Sequence, residues 1–138
     1  MPKSINQIQD EILQEFDLFD DWSQKYQHII DMGTTLPMID PQYRDDDHLI
    51  KGCQSDVWLR AEKIETVLHF TADSDAAITK GIIAMLVRIF NDHTPQEIIN
   101  ADLYILEKLD LQSHLSPNRA NGLLQMIKKI RSYAESNI

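Results

Sequence analysis

Val57-Trp58-Leu59-Arg60-Ala61-Glu62-Lys63-Ile64-Glu65-Thr66-Val67-Leu68-His69-Phe70-Thr71 is the stretch on which the fold turns. Val57, Leu59 and Ala61 alternate with Trp58, Arg60 and Glu62, the period of two that gives a strand one apolar face. Thr66 to Thr71 is a second β-like run, rich in Val, Leu, Phe and Thr. Two such runs so close together predict an antiparallel hairpin. The turn between them has no Gly, Asn or Pro, so turn chemistry does not set its register. Just upstream, Leu49-Ile50-Lys51 reads as a short strand leading into Gly52-Cys53.

On both sides of the hairpin the period changes to that of helices. Ser4 and Gln7 form a capping-box pattern, and Ile5, Ile8, Ile12, Phe16 and Phe19 then fall three or four residues apart. A second helix carries Trp22, Tyr26, Ile29 and Ile30, with Gly33 placed to cap its C-terminus. Thr34 to Asp47, with Pro37, Pro41 and an acidic run, reads as mostly loop. After the hairpin, Asp73-Ser74-Asp75 reads as a helix start. Ile78, Ile82, Met85, Leu86, Ile89 and Phe90 follow as an apolar stripe that tolerates Gly81. Thr94-Pro95-Gln96-Glu97 carries a cap, a proline at the first helical position and a glutamate at the third. Leu103, Leu106 and Leu109 predict a short helix. Ser116-Pro117 opens a last one that buries Leu123, Leu124, Ile127 and Ile130. The expected class is α+β, helices packed against one small antiparallel sheet.

The chain has 138 residues, which fits a single domain over 1–138, and 43% of them are hydrophobic. No apolar run approaches a membrane span. Met1-Pro2-Lys3-Ser4 leads into a polar amphipathic segment, not a signal core, so a cytoplasmic protein is expected. A net charge of −9 argues against nucleic acid, whose phosphates require clustered Lys and Arg. Residues 1–56 hold 12 Asp/Glu against 4 Lys/Arg, while residues 57–138 hold 10 against 9. The acidic half is either a solvated surface or a docking face for a basic patch on a partner.

Cys53 is the only cysteine, so no internal disulfide forms. A lone cysteine is commonly an inert small hydrophobe. Against that, Cys53 falls in a connection between two β-like runs, Gly52 gives backbone freedom beside it, and Lys51 favours a thiolate while Asp56 opposes one. On these residues alone the two readings stay open. A cysteine hydrolase requires a base at Cys53, for which His48 and His69 are the candidates. The histidines have no paired spacing on a helix face. Asp45-Asp46-Asp47-His48 is the only dense set of metal-ligand types, so no metal site is expected. One thiolate cannot carry a conventional iron–sulfur cluster. Arg119 lies in the first turn of the last helix, where the dipole disfavours a cation; that points to a role elsewhere.

Several ordered blocks resemble the SufE family of sulfur acceptors. They are Gly52-Cys53-Gln54-Ser55 with Val57-Trp58, Asp73-Ser74-Asp75-Ala76-Ala77-Ile78 with Lys80-Gly81 and Ala84, Thr94-Pro95-Gln96-Glu97-Ile98, and Leu115-Ser116-Pro117-Asn118-Arg119 with Gly122-Leu123. Trp22, Tyr26, Ile29, Gly33 and Leu36-Pro37 are similar to the family's N-terminal pattern. The resemblance implies a SufE/IscU-like fold with Cys53 in a loop at the sheet edge, carrying a covalent persulfide. It implies a pyridoxal-phosphate-dependent cysteine desulfurase of the SufS kind as donor and an iron–sulfur scaffold as recipient. Arg119, with Gly52, Gln54 and Ser55 around the cysteine, is implied to meet the desulfurase. The chain itself is expected to hold no cofactor and to have no independent turnover. Thiol chemistry then predicts a movable loop and a partly buried, apolar surround for Cys53. The alternatives are an independent cysteine-dependent enzyme and an acidic binding module with an incidental cysteine.

Overall fold

The computed structural model describes residues 3–138; Met1 and Pro2 lie outside it. Two helices, α1 (Ile5–Phe16) and α2 (Trp22–Met32), precede the hairpin of β1 (Val57–Ile64) and β2 (Val67–Ser74). Four more follow: α3 (Ala77–Phe90), α4 (Pro95–Asn100), α5 (Tyr104–Leu109) and α6 (Pro117–Glu135). This is the α+β class expected. The capping boxes at Ser4/Gln7 and Thr94/Glu97 both form, and Ser116 accepts from the Arg119 amide.

α3 is the hub. Eleven of its 14 residues are buried, because α1, α2, α6 and β2 surround it. Helix propensity does not explain such a segment; all-round burial of Ile82, Met85, Leu86, Ile89 and Phe90 does. A bidentate ion pair from Arg88 on α3 to Glu15 on α1, at 2.6 and 3.1 Å, holds the Glu15 carboxyl below its ordinary range.

The hairpin is antiparallel, with Val57 opposite Ser74 and Ile64 opposite Val67. Its two-residue turn puts Glu65 at φ 56°, a left-handed position without the usual glycine. Val57, Leu59, Phe70 and Ala72 face the core. A strap over the other face stacks Arg60 on Tyr43 and brings Arg44 over Trp58 and into an ion pair with Asp73.

Four expectations change. Leu49–Lys51 is one bridge, Leu49 to Trp58, and not a strand, because Gly52 turns the chain at φ 90°. β2 is longer than the Thr66–Thr71 run and ends at Ser74, so Asp73-Ser74-Asp75 does not start a helix. Asp73 is buried between Arg44 and Lys80, and Ser74 and Asp75 bind Asp56; these partners outcompete capping. Gly33 is the C-cap of α2, but right-handed at φ −60°. Leu124 is 49% exposed, since it lies on the face of α6 turned from the core.

Gly81 is required by a close approach. A Cβ there would land in the Ile29 carbonyl group and 2.8 Å from Ile29 Cγ2. Ala normally exceeds Gly by about 1 kcal/mol inside a helix. Here the overlap is with backbone, which has to move, and overpacking costs about 1–3 kcal/mol. With the Cβ 2.0 Å from the Ile29 carbonyl oxygen the cost lies at the upper end of that range, so, less the helix gain, Gly81→Ala is expected to lower the urea-unfolding free energy by about 2 kcal/mol. A variant as stable as the parent would show that α2 and α3 are not in this contact.

Candidate functional site

The segment from Ile50 to Asp56 is anchored at its ends. The Ile50 amide donates to the Val57 carbonyl at 2.8 Å. At the other end the Asp56 carbonyl accepts from the Ser74 hydroxyl at 2.8 Å, and the Asp56 amide donates to the Asp75 carboxylate at 3.1 Å. Between these points the chain is held by side chains of α6. Asn121 Nδ2 donates to the Gly52 carbonyl at 2.9 Å, and Asn118 Nδ2 to Gln54 Oε1 at 3.4 Å. A Cβ at Gly52 would meet Gln125 at 3.0 Å and would need a positive φ, so glycine is the residue that allows this seat.

Cys53 is half-buried at the centre of the loop. Its thiol lies against the backbone of α6, with Sγ 3.7 Å from the Gly122 carbonyl oxygen, its weak acceptor. The approach is close: a Cβ at Gly122 would itself be in van der Waals contact with Sγ, at 3.4 Å. The cysteine opens on a cavity of about 260 Å³. Ile82, Met126 and Gly122 supply its apolar part; Gln54, Ser55, Thr79, Asn118 and Arg119 are also in the lining. The surround is therefore mixed, where an apolar one was expected: the polar first turn of α6 and the loop itself form part of the wall.

Burial pushes the Cys53 thiol above its ordinary pKa. Lys51 does not offset this; it lines a separate open groove of about 920 Å³ with Asp46, Asp47 and Lys128. Arg119 is exposed and makes no ion pair among the described residues. Cys53, Gln54, Ser55 and Arg119 thus come together, while Gly52 shapes the turn outside the lining.

The candidate bases do not join them. His48 is bound to Asp45 at 2.7 Å and His69 to Asp92 at 3.0 Å, and no histidine among the described residues lines the Cys53 cavity. Asp45 is occupied in holding the amide and ring of His48. Among the described residues there is no group of three or more His, Cys, Asp or Glu arranged to hold a metal. No helix among them is long and apolar enough to cross a membrane. Sequence reading missed Thr79, Ile82 and Met126 because they look like core positions of helices. It also missed Asn121 as a tether, although Asn118, Asn121 and Gln125 repeat at the spacing of one helix face.

The family model described as "SufE: Fe-S metabolism associated domain" matches residues 10–134. The chain belongs to that family, which is associated with iron–sulfur metabolism. Its fold is similar to a solution structure of a hypothetical protein from Thermus thermophilus, with a TM-score of 0.77 at 13% identity. That match covers 94% of this chain and 95% of the other.

The folded protein is expected to react with iodoacetamide at a higher pH than the urea-unfolded chain, since only the thiolate reacts and burial delays its formation. Asn121→Ala removes a tether of about 1 kcal/mol, so alkylation of the folded variant should be about fivefold faster at one pH. Equal pH profiles for folded and unfolded chains, or no acceleration in the variant, would contradict a sheltered, tethered thiol.

Proposed function

We propose, with membership of that family as the premise, that this protein accepts sulfur from a pyridoxal-phosphate-dependent cysteine desulfurase and delivers it to an iron–sulfur scaffold. The observation that carries the reading is the placement of the one thiol. It is half-sheltered, on a loop anchored at both ends and held in the middle by a few side-chain bonds that a partner can replace.

The chemistry is thiol exchange. The donor holds sulfur as a persulfide on its own cysteine. The Cys53 thiolate attacks the terminal sulfur, a new sulfur–sulfur bond forms on Cys53, and the donor's sulfur–sulfur bond breaks. The donor leaves as a thiolate and takes up the proton Cys53 gave away, so there is no net oxidation or reduction. The pyridoxal phosphate belongs to the donor enzyme. In this reading the chain from 1 to 138 works as one cytoplasmic domain with no turnover of its own.

Shelter and transfer make opposite demands. A persulfide left open is lost to oxidants and stray thiols, while one sealed inside cannot be passed on. A raised thiol pKa keeps Cys53 quiet in the free protein. Arg119, unpaired at the cavity, suits a carboxylate on the donor; Gly52, Gln54 and Ser55 give the loop the freedom and polar surface to unfold into the partner's site. An independent cysteine enzyme would need a base beside Sγ, and no histidine among the described residues lines that cavity.

The test is desulfurase turnover, read as sulfide or alanine released from free cysteine. The wild-type protein is expected to raise it, and Cys53→Ser to abolish the increase while still binding. Arg119→Glu should weaken binding to the desulfurase about tenfold or more, as loss of an interfacial arginine anchor does. Stimulation by Cys53→Ser equal to wild type would favour allosteric activation and defeat the relay.

A further inference from the structure

Thr79 is 6% exposed, and its hydroxyl makes no hydrogen bond among the described residues, yet it lines the Cys53 cavity. At the wall of a cavity, a hydroxyl with no protein acceptor is free to donate to whatever the cavity holds. Val would fill the same volume. Thr79 is also the third residue of α3, in the first turn of that helix. Its N-cap, Ala76, makes no side-chain cap bond, and its first turn contains no acidic residue. The first amide to make a helical bond is that of Lys80, to the Ala76 carbonyl. The groups nearest that end are engaged: Asp73 pairs with Arg44 and Lys80, Asp75 accepts from the Asp56 amide, and the Ser74 hydroxyl oxygen accepts from the Ala76 amide. The only charged side chain among the described residues of the cavity wall is Arg119, also positive. A hydroxyl without a protein acceptor and a free guanidinium, both in the wall of the cavity, favour an anion beside Sγ.

We propose that Thr79 is a catalytic residue of the sulfur relay, its hydroxyl donating a hydrogen bond to the terminal sulfur of a persulfide on Cys53. The proposal rests on the relay reading and adds to it the group that holds the cargo. A persulfide gives up its proton more readily than a thiol, so the loaded protein carries a negative sulfur where the empty one carries a neutral thiol. The cavity is larger than one sulfur atom requires and admits it without moving α3. The donor is in place before the charge arrives, so no reorganisation is needed when it forms.

The test loads Cys53 with inorganic polysulfide, which needs no partner protein. The Cys53 thiolate takes one sulfur from the chain, and the polysulfide leaves shorter by that atom. Wild type, Thr79→Val and Thr79→Ser are then compared by the near-ultraviolet absorbance of the persulfide anion against pH, and by persulfide lifetime under a small thiol. Thr79→Val should ionise about one pH unit higher and lose its sulfur about tenfold faster, with Thr79→Ser close to wild type. The unloaded Thr79→Val protein should be no less stable, because its hydroxyl had no partner to lose. Wild-type behaviour in Thr79→Val overturns the role of Thr79 and leaves the desulfurase test untouched. A Cys53 that polysulfide cannot load overturns it too, since the cavity then admits no second sulfur.

Discussion

The carbonyl of Gly52 resting on the amide nitrogen of Asn121, 2.9 Å away, is the contact through which the shelter of Cys53 is held. On one side of it the chain is joined to β1; on the other it is clamped at Asp56 by Ser74 and Asp75. Between those points it makes no backbone ladder. The free energy keeping Sγ against Gly122 is therefore that of a few side-chain bonds, each about 1 kcal/mol, plus partial burial. That is small enough for a protein interface to replace and large enough to keep the thiol mostly covered in isolation. A cysteine in the middle of a strand would be held by far more, and one on an open loop by nothing.

The rest of the fold makes that weak tether meaningful by holding everything around it still. α3, buried on nearly all sides, fixes Thr79 and Ile82 under the loop. Gly81 lets α2 come close enough to cover that helix. α6 presents Asn118, Asn121, Gly122 and Gln125 along one side, so the loop is read by a rigid surface. The strap of Tyr43 and Arg44 over the outer face of the hairpin pins the strand from which the loop departs. Rigidity is concentrated in the helices, and freedom is left to the segment from Ile50 to Asp56.

Much of this was legible in the sequence where a local pattern and its tertiary use coincide. The alternation at Val57, Leu59 and Ala61 marked the hairpin, the Ser4, Thr94 and Ser116 caps lie where expected, and the single cysteine lies in a connection. Sequence reading failed where a long-range partner took over. Asp73 has the look of a helix start but is the buried counter-ion of Arg44 and Lys80, which come from either side of it in the chain. Leu124 matches the apolar rhythm of α6 but falls on its outer side. Thr79 was invisible, because a threonine in an apolar stripe shows no sign of lacking a partner until the wall around it is known. Asn118, Asn121 and Gln125 do carry a trace, a polar row on one helix face, but the loop they hold comes from a distant part of the chain.

The most direct measurement of the central claim is the intact mass of the protein after incubation with a cysteine desulfurase, pyridoxal phosphate and free cysteine, followed by peptide mapping. The account predicts a gain of one sulfur atom on the peptide holding Cys53, reversed by a reducing thiol and absent when the donor enzyme is omitted. An unchanged mass, with the donor enzyme itself fully persulfidated, would contradict it.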